Sequence, residues 1–237
     1  MHVKICGLTN LADARTALRA GADLLGFNFY RPSPRYVEPA AAAQIIATLR
    51  AESGGTRPQA ASTPVGRAGS PLPGGYAYRC VGVLVTMPLV EALALREMCG
   101  LDLLQLHGDE TVEYCQALTP FAVKALRPRS QAEAEDGVAR FGAQASANAP
   151  CFLIDASHPQ LYGGTGVTGD WSLGRSIAER FPILLAGGLT PDNVGDAIRA
   201  ARPWGVDVAS GVERSPGVKD GDKVQAFVQA AHATTVT

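Results

Sequence analysis

Eight short apolar runs, each followed by a helical pattern, constrain the fold of this 237-residue chain more than anything else in it. They are HVKIC (2–6), DLLGFNF (23–29), RCVGVLV (79–85), DLLQLH (102–107), FAVKAL (121–126), CFLIDA (151–156), PILLAG (182–187) and GVDVAS (205–210). Such runs, short and without sustained polar alternation, are expected of parallel strands covered on both faces. Between them the helical period takes over. Leu11, Ala14 and Leu18 share one face of a helix expected to stop at Gly21. Thr190 and Pro191 read as the cap and first turn of another, with Val194, Ala197, Ile198 and Ala201 at i, i+3, i+4 and i+7. Val224, Phe227, Val228 and Ala231 repeat that spacing in the last. Eight strand–helix units in this length predict a single-domain α/β (β/α)8 TIM barrel rather than an open doubly wound sheet of about five or six strands. Catalytic groups are then expected just after the strands.

Residues 53–78 stand outside the pattern. Half of them are Gly, Pro or Ser, with two arginines and no acidic residue, and they show no period. This stretch is expected to be a flexible insertion between the second helix and the third strand, on the face away from catalysis. GAQASANA (142–149) occupies the equivalent place before strand six.

Charge narrows the partners. A formal net charge of -1, with 46% hydrophobic and 18% charged residues, argues for a globular body without the basic footprint of a nucleic-acid binder. A small-molecule partner is expected. The opening MHVKICGLTN has no basic-then-apolar leader, and no apolar run approaches the roughly 18–20 residues of a membrane span. The expectation is a soluble, cytoplasmic protein. Five scattered cysteines without a CxxC pair fit neither a disulfide framework nor a zinc site.

Cys6 closes the first run and precedes Gly7, where a barrel exposes a side chain at its catalytic rim. Its thiol is a candidate general base if local donors lower its pKa; packing is the competing role. Cys80, Cys99, Cys115 and Cys151 sit inside strand or helix patterns and are read as core. Asp155 ends an otherwise apolar strand, where a carboxylate must line a site or find a structural partner. The two groups suggest a base and an acid.

Gly163 to Gly166, Gly187-Gly188 and Ser210-Gly211 follow the last three strands and together read as a phosphate cradle; each pair alone could be turn chemistry. Gly164, Gly166 and Gly169 also satisfy GxGxxG, but no acidic residue ends the next strand, so a dinucleotide site is rejected. Arg35, in YRPSPRYV, is a candidate to hold a substrate anion. His107 also ends a run and reads as a hydrogen-bonded structural histidine or a catalytic one, and Trp171 is read as core.

In order, KICG (4–7), SPRYV (33–37), LQLHGDE (104–110), LIDA (153–156), GGTG (163–166) with DW (170–171), LAGGL (185–189) and DVASGVE (207–213) resemble phosphoribosylanthranilate isomerases of tryptophan biosynthesis. The resemblance implies an Amadori rearrangement of N-(5-phosphoribosyl)anthranilate without metal or organic cofactor. It makes Asp155 the general acid and Cys6 the general base. Arg35 would face the anthranilate carboxylate, with His107, Gly164, Gly187, Gly188, Asp207, Ser210 and Gly211 as further substrate-binding positions. Gly169 and Thr86 depart from the family, which often has an aromatic and an Asn or Asp there. Two alternatives stand beside it: the sibling isomerase of histidine biosynthesis, which resembles this chain less because it carries aspartate in place of Cys6, and a barrel that binds a sugar phosphate without catalysis. A monomer or a homodimer is expected.

Overall fold

The computed structural model describes residues 1–53, 78–144, 150–156 and 171–235. The chain forms the expected barrel. Strands β1 (His2–Ile5), β2 (Leu24–Asn28), β3 (Arg79–Leu84), β4 (Leu103–Leu106), β5 (Ala122–Leu126), β6 (Phe152–Asp155), β7 (Ile183–Ala186) and β8 (Gly205–Val208) close in sequence order. All neighbours are parallel, and β8 pairs back onto β1 with Lys4 beside Asp207. Around the ring lie α1 (Leu11–Ala20), α2 (Pro39–Glu52), α3 (Leu89–Cys99), α4 (Val112–Ala117), α5 (Gln131–Phe141), α6 (Arg175–Ala178), α7 (Val194–Ala201) and α8 (Gly221–Ala233).

The strands are shorter than the apolar runs because the last residues leave the ladder while their amides stay tied to the neighbouring strand. Cys6 N donates to Val208 O at 2.8 Å, His107 N to Leu84 O at 2.8 Å and Ala156 N to Ala186 O at 3.1 Å. Those bonds fix the side chains just past the strand ends, at the mouth of the barrel. Helix signals held where the chemistry was unambiguous. In α1 the Asn10 side chain accepts from Asp13 N, and Gly21 ends the helix at φ 98°. The hydrophobic faces of α7 and α8 are buried as their spacing requires.

Three expectations need correction. The seventh helix starts at Val194, not at Thr190-Pro191, because Asn193 ties the preceding turn instead: it accepts from Thr190 N at 2.8 Å and donates to Gly188 O at 2.9 Å. Tyr78, placed within the flexible insertion, is buried against the core at 3% exposure; residues 54–77 lie outside the described residues, as do 145–149 of the smaller insertion. Trp171 is only partly buried; it packs on the core edge and donates from its indole N–H to Gly187 O at 3.3 Å. The fourth and sixth helices are stubs, six and four residues long. An addition came unannounced: β9 (Glu213–Ser215) and β10 (Val218–Lys219) form an antiparallel hairpin between β8 and α8.

Two apolar clusters divide the core. The larger fills the space between barrel and helices. The smaller takes Leu24, Val81, Leu103, Val123, Leu153 and Leu184 from six consecutive strands, closed by Trp204. Polar side chains take over nearer the mouth: Lys4 on β1 reaches Gln105 on β4, which is not its neighbour, so both lie within the barrel. Among the described residues no helix is long and apolar enough to cross a membrane.

Candidate active site

Period-two alternation sends Val3 and Ile5 to the helix layer and Lys4 and Cys6 inward. Cys6 lies against Gly26 of β2. A Cβ on that glycine would meet Cys6 Sγ at 2.8 Å, Cys6 Cα at 3.0 Å and Lys4 Cε at 3.1 Å, so only glycine leaves room for the thiol and the lysine stem together.

Burial pushes the Cys6 thiol up from its ordinary value; Lys4 and Lys219 pull it down, Asp207 adds to the rise, and burial wins. The local donors expected to lower it are present but do not prevail in the free protein. The resting group is a thiol with two cations poised to hold its thiolate. Lys4 shows the reverse balance. Burial alone would pull its ammonium down, but Asp207 at 2.9 Å and the neighbouring Cys6 hold it above the ordinary lysine value.

Asp155 ends β6 as expected, and His107 lies beside it with Nε2 at 3.6 Å from Oδ2. Gln105 joins the groups, accepting from Lys4 at 2.9 Å and lying 2.9 Å from His107 Nδ1. The sequence-predicted base, acid and histidine therefore share one mouth, connected through two residues that sequence reasoning passed over. Asp207, expected to touch substrate, has its Oδ1 committed to Lys4.

Arg35 is held rigidly, though not by the prolines alone. Ser33 accepts from Asn28 and from the Arg35 amide, bracing the loop. The guanidinium then clasps Glu213 through Nε at 2.9 and 3.2 Å and Nη2 at 2.8 Å. Lys219 binds the same carboxylate at 2.9 Å. Burial alone would raise Glu213, but Arg35 and Lys219 overcome it and keep the carboxyl below the usual carboxylate range. Burial pulls Lys219 below its ordinary value, against the pull of Glu213. Two cations around one carboxylate leave a positive excess beside Cys6. Nη1 of Arg35 makes no hydrogen bond among the described residues.

Behind His107, Lys124 donates to Leu106 O at 3.1 Å, Gly108 O at 2.6 Å and Glu110 at 2.8 Å, while Glu110 accepts from the Thr86 amide at 2.9 Å. That network freezes the turn carrying His107. Thr86 has φ 50°, a left-handed conformation that Asn or Asp adopts at lower cost than a β-branched residue.

Gly187 and Gly188 adopt φ 103° and 65°, so the turn after β7 requires them. Gly211, in the 3-10 turn Ser210–Val212, has a different reason to be glycine: an added Cβ would strike the Leu189 carbonyl oxygen and meet its carbon at 3.0 Å. The loops after β7 and β8 thus touch backbone to backbone, Gly211 lying against Leu189 and Thr190 just past the Gly187-Gly188 turn. Gly164 lies outside the described residues, with Gly163, Gly166, Gly169 and Asp170.

A thiol and a carboxyl across one barrel mouth, flanked by surplus positive charge, define a (β/α)8-barrel enzyme of the proton-transferring kind, suited to an anionic small molecule. Residues 73–230 match the profile of the family described as N-(5'phosphoribosyl)anthranilate (PRA) isomerase. The N-(5'-phosphoribosyl)anthranilate isomerase of Pelobacter propionicus is 40% identical over 234 residues, covering 99% of this chain and 97% of that one. The crystal structure of phosphoribosyl anthranilate isomerase from Thermotoga maritima superposes with TM-score 0.79 at 34% identity, covering 98% of each chain. A phosphoribosyl anthranilate isomerase in complex with reduced 1-(o-carboxyphenylamino)-1-deoxyribulose 5-phosphate superposes with TM-score 0.74 at 32% identity, again over 98% of each chain. The chain belongs to the phosphoribosylanthranilate isomerase family.

Proposed function

We propose that this chain converts N-(5'-phosphoribosyl)anthranilate to 1-(2-carboxyphenylamino)-1-deoxyribulose 5-phosphate, the aldose-to-ketose step of tryptophan biosynthesis. Asp155 gives its proton to the furanose ring oxygen, the C1'–O bond breaks, and the nitrogen lone pair forms a protonated imine. The imine is the electron sink that acidifies the C2' proton. Cys6, its own proton first released to solvent, removes that proton as a thiolate, the electron pair becomes the C1'=C2' bond, and the enolamine tautomerises to the ketoamine. These steps balance without metal or organic cofactor. Lys4 and Lys219 serve by holding the thiolate, whose formation burial otherwise opposes.

The observation that carries this reading is the placement of Cys6 and Asp155 at one mouth, joined by Lys4, Gln105 and His107. Arg35 would receive the anthranilate carboxylate on its outer nitrogen, against the positive excess it shares with Lys219. Amides of Gly164, Gly187, Gly188, Ser210 and Gly211 would hold the phosphate, and Asp207 would act by anchoring Lys4. Fixing both anionic ends orients the sugar between acid and base, a larger gain than the roughly 10²–10⁴ of each proton-transfer group.

A cytoplasmic location goes with such biosynthetic chemistry, and the near-neutral charge gives nucleic acid no footprint. The Thermotoga maritima relative is described as dimeric, so homodimer and monomer are both compatible with the site, which one chain's residues build.

The test mixes pure protein with freshly made phosphoribosylanthranilate and follows loss of anthranilate-type fluorescence. Cys6→Ala and Asp155→Asn should each lower kcat by about 10² or more, with product-analogue affinity within about tenfold. Near-wild-type turnover in either variant removes that residue from the mechanism.

A further inference from the structure

The proposed steps use Cys6 and Asp155 but leave unexplained why a buried amide and an imidazole connect them. Lys4 Nζ donates to Asp207 Oδ1 and to Gln105 Oε1, both at 2.9 Å. Gln105 Nε2 lies 2.9 Å from His107 Nδ1, and His107 Nε2 lies 3.6 Å from Asp155 Oδ2. Lys4 and Gln105 are both fully enclosed, at 0% and 2% exposure.

Hydrogen positions along this chain follow from one property of an ammonium group: it has donors and no acceptor. Gln105 must therefore turn its oxygen to Lys4, which leaves its NH2 facing His107. Two donors cannot share that contact, so Nδ1 presents a lone pair. A neutral imidazole then carries its hydrogen on Nε2, the nitrogen facing Asp155.

We propose that Lys4 and Gln105 are positioning residues that fix His107 as the Nε2–H tautomer, so that His107 donates to Oδ2 of Asp155 and the acid's proton resides on Oδ1. A carboxyl can present its proton from either oxygen, and only one points it at the ring oxygen. Occupying Oδ2 with a donor selects the other. The 3.6 Å separation closes to hydrogen-bond length when substrate excludes water from the mouth, as catalytic contacts commonly do. Asp207 belongs to the same device, because without its carboxylate the Lys4 ammonium would be buried with its charge unmatched. The inference rests on Asp155 being the acid, and it gives His107 a role toward the acid rather than toward the substrate.

The direct test is long-range proton–nitrogen NMR of the 15N-histidine-labelled full chain at neutral pH. The expected pattern for His107 is Nε2–H; an Nδ1–H or doubly protonated ring overturns the proposal. A second arm uses Gln105→Glu, whose two carboxylate oxygens accept from both Lys4 and the ring. There the tautomer should switch to Nδ1–H, with kcat falling about 30-fold and KM staying within about threefold. A Gln105→Glu enzyme that keeps its kcat overturns the proposal. If that variant does not fold, the wild-type spectrum decides alone. The two readings also fail separately. An active Asp155→Asn variant removes the acid assignment while leaving the ring spectrum in place, whereas an Nδ1–H signal removes the network and leaves the acid assignment standing.

Discussion

Replacing Gly26 by Ala is the smallest change that should disable the chemistry without touching a reacting group. Gly26 follows Leu25 on β2, which is in register with Ile5, so it stands opposite Cys6 across the first strand pair. The added methyl would sit 2.8 Å from Sγ, whereas ordinary non-bonded contact between heavy atoms is about 3.5–4.0 Å. Sulfur must retreat by roughly 1 Å, and Lys4 Cε, at 3.1 Å from the same methyl, blocks an escape sideways. A misplacement of about 1 Å at a reacting atom costs up to about 10² in rate, so kcat should fall about 30- to 100-fold. KM should change less than kcat, since the phosphate-holding loops follow β7 and β8 and Arg35 is held in place by Glu213. Overpacking should cost about 1–3 kcal/mol of stability. Steady-state fluorescence kinetics and thermal melting read both effects. A double-mutant cycle sharpens the test: Gly26→Ala in a Cys6→Ala background should lower activity no further, because the sulfur it displaces is gone. A Gly26→Ala enzyme with kcat within twofold of wild type would refute the claim that Sγ must stay where it lies.

Further outcomes follow from the same geometry. Gly211→Ala must part the loops after β7 and β8, so KM should rise about tenfold or more, the scale of one lost charge-assisted hydrogen bond to phosphate at roughly 1.5–3 kcal/mol; an unchanged KM would show that the cradle lies elsewhere. Thr86→Asn should relieve the left-handed backbone and raise stability by about 1 kcal/mol, read as a higher Tm at unchanged kcat. Burial raises the thiols of Cys99 and Cys115 to about 11 and of Cys151 to about 12. Raised thiols lend stability that is complete below the unfolded thiol value near about 8.5 and is lost as pH climbs from there toward the folded values, by about 1 kcal/mol per thiol per pH unit. The gap between urea midpoints at pH 8 and 10 should therefore shrink, without vanishing, in a Cys99→Ala, Cys115→Ala, Cys151→Ala variant, which keeps the burial-raised thiols of Cys6 and Cys80; parallel losses in both proteins would refute the linkage.

Much of this fold can be read from local chemistry, since runs such as PILLAG and RCVGVLV have few alternatives to strands covered on both sides. Cys6 and Asp155 were legible for a related reason, a polar group at the end of an apolar run. The partners that make them a site were not, because their pairings are remote in sequence: Lys4 meets Gln105 across 101 residues and Asp207 across 203, and Arg35 meets Glu213 across 178. A signal existed nonetheless. HVKIC, DLLQLH, FAVKAL and GVDVAS each carry one charged or amide residue in their interior, between apolar neighbours, and such a residue must find a buried partner. Lys4, Gln105, Lys124 and Asp207 are those residues, and all four are buried with partners. The hairpin at 213–219 and the shift of the seventh helix to Val194 escaped because turn chemistry, not hydrophobic period, decides them.

The hairpin carries a consequence for the order in which the protein comes into being. Thr9 donates to Gly217 O at 2.6 Å, Arg35 clasps Glu213, and Lys4 pairs with Asp207, so the first two loops of the chain receive their anchors from its last quarter. Contacts of such long range are the last to be rewarded during folding. A nascent chain still lacking β8 and the hairpin can hold most of its helices and has no arranged thiol or guanidinium. Catalytic competence therefore arrives with ring closure: in refolding, activity should return after the far-ultraviolet circular dichroism signal. The enzyme's own turnover would then serve as a stopwatch for the moment its first and last strands meet.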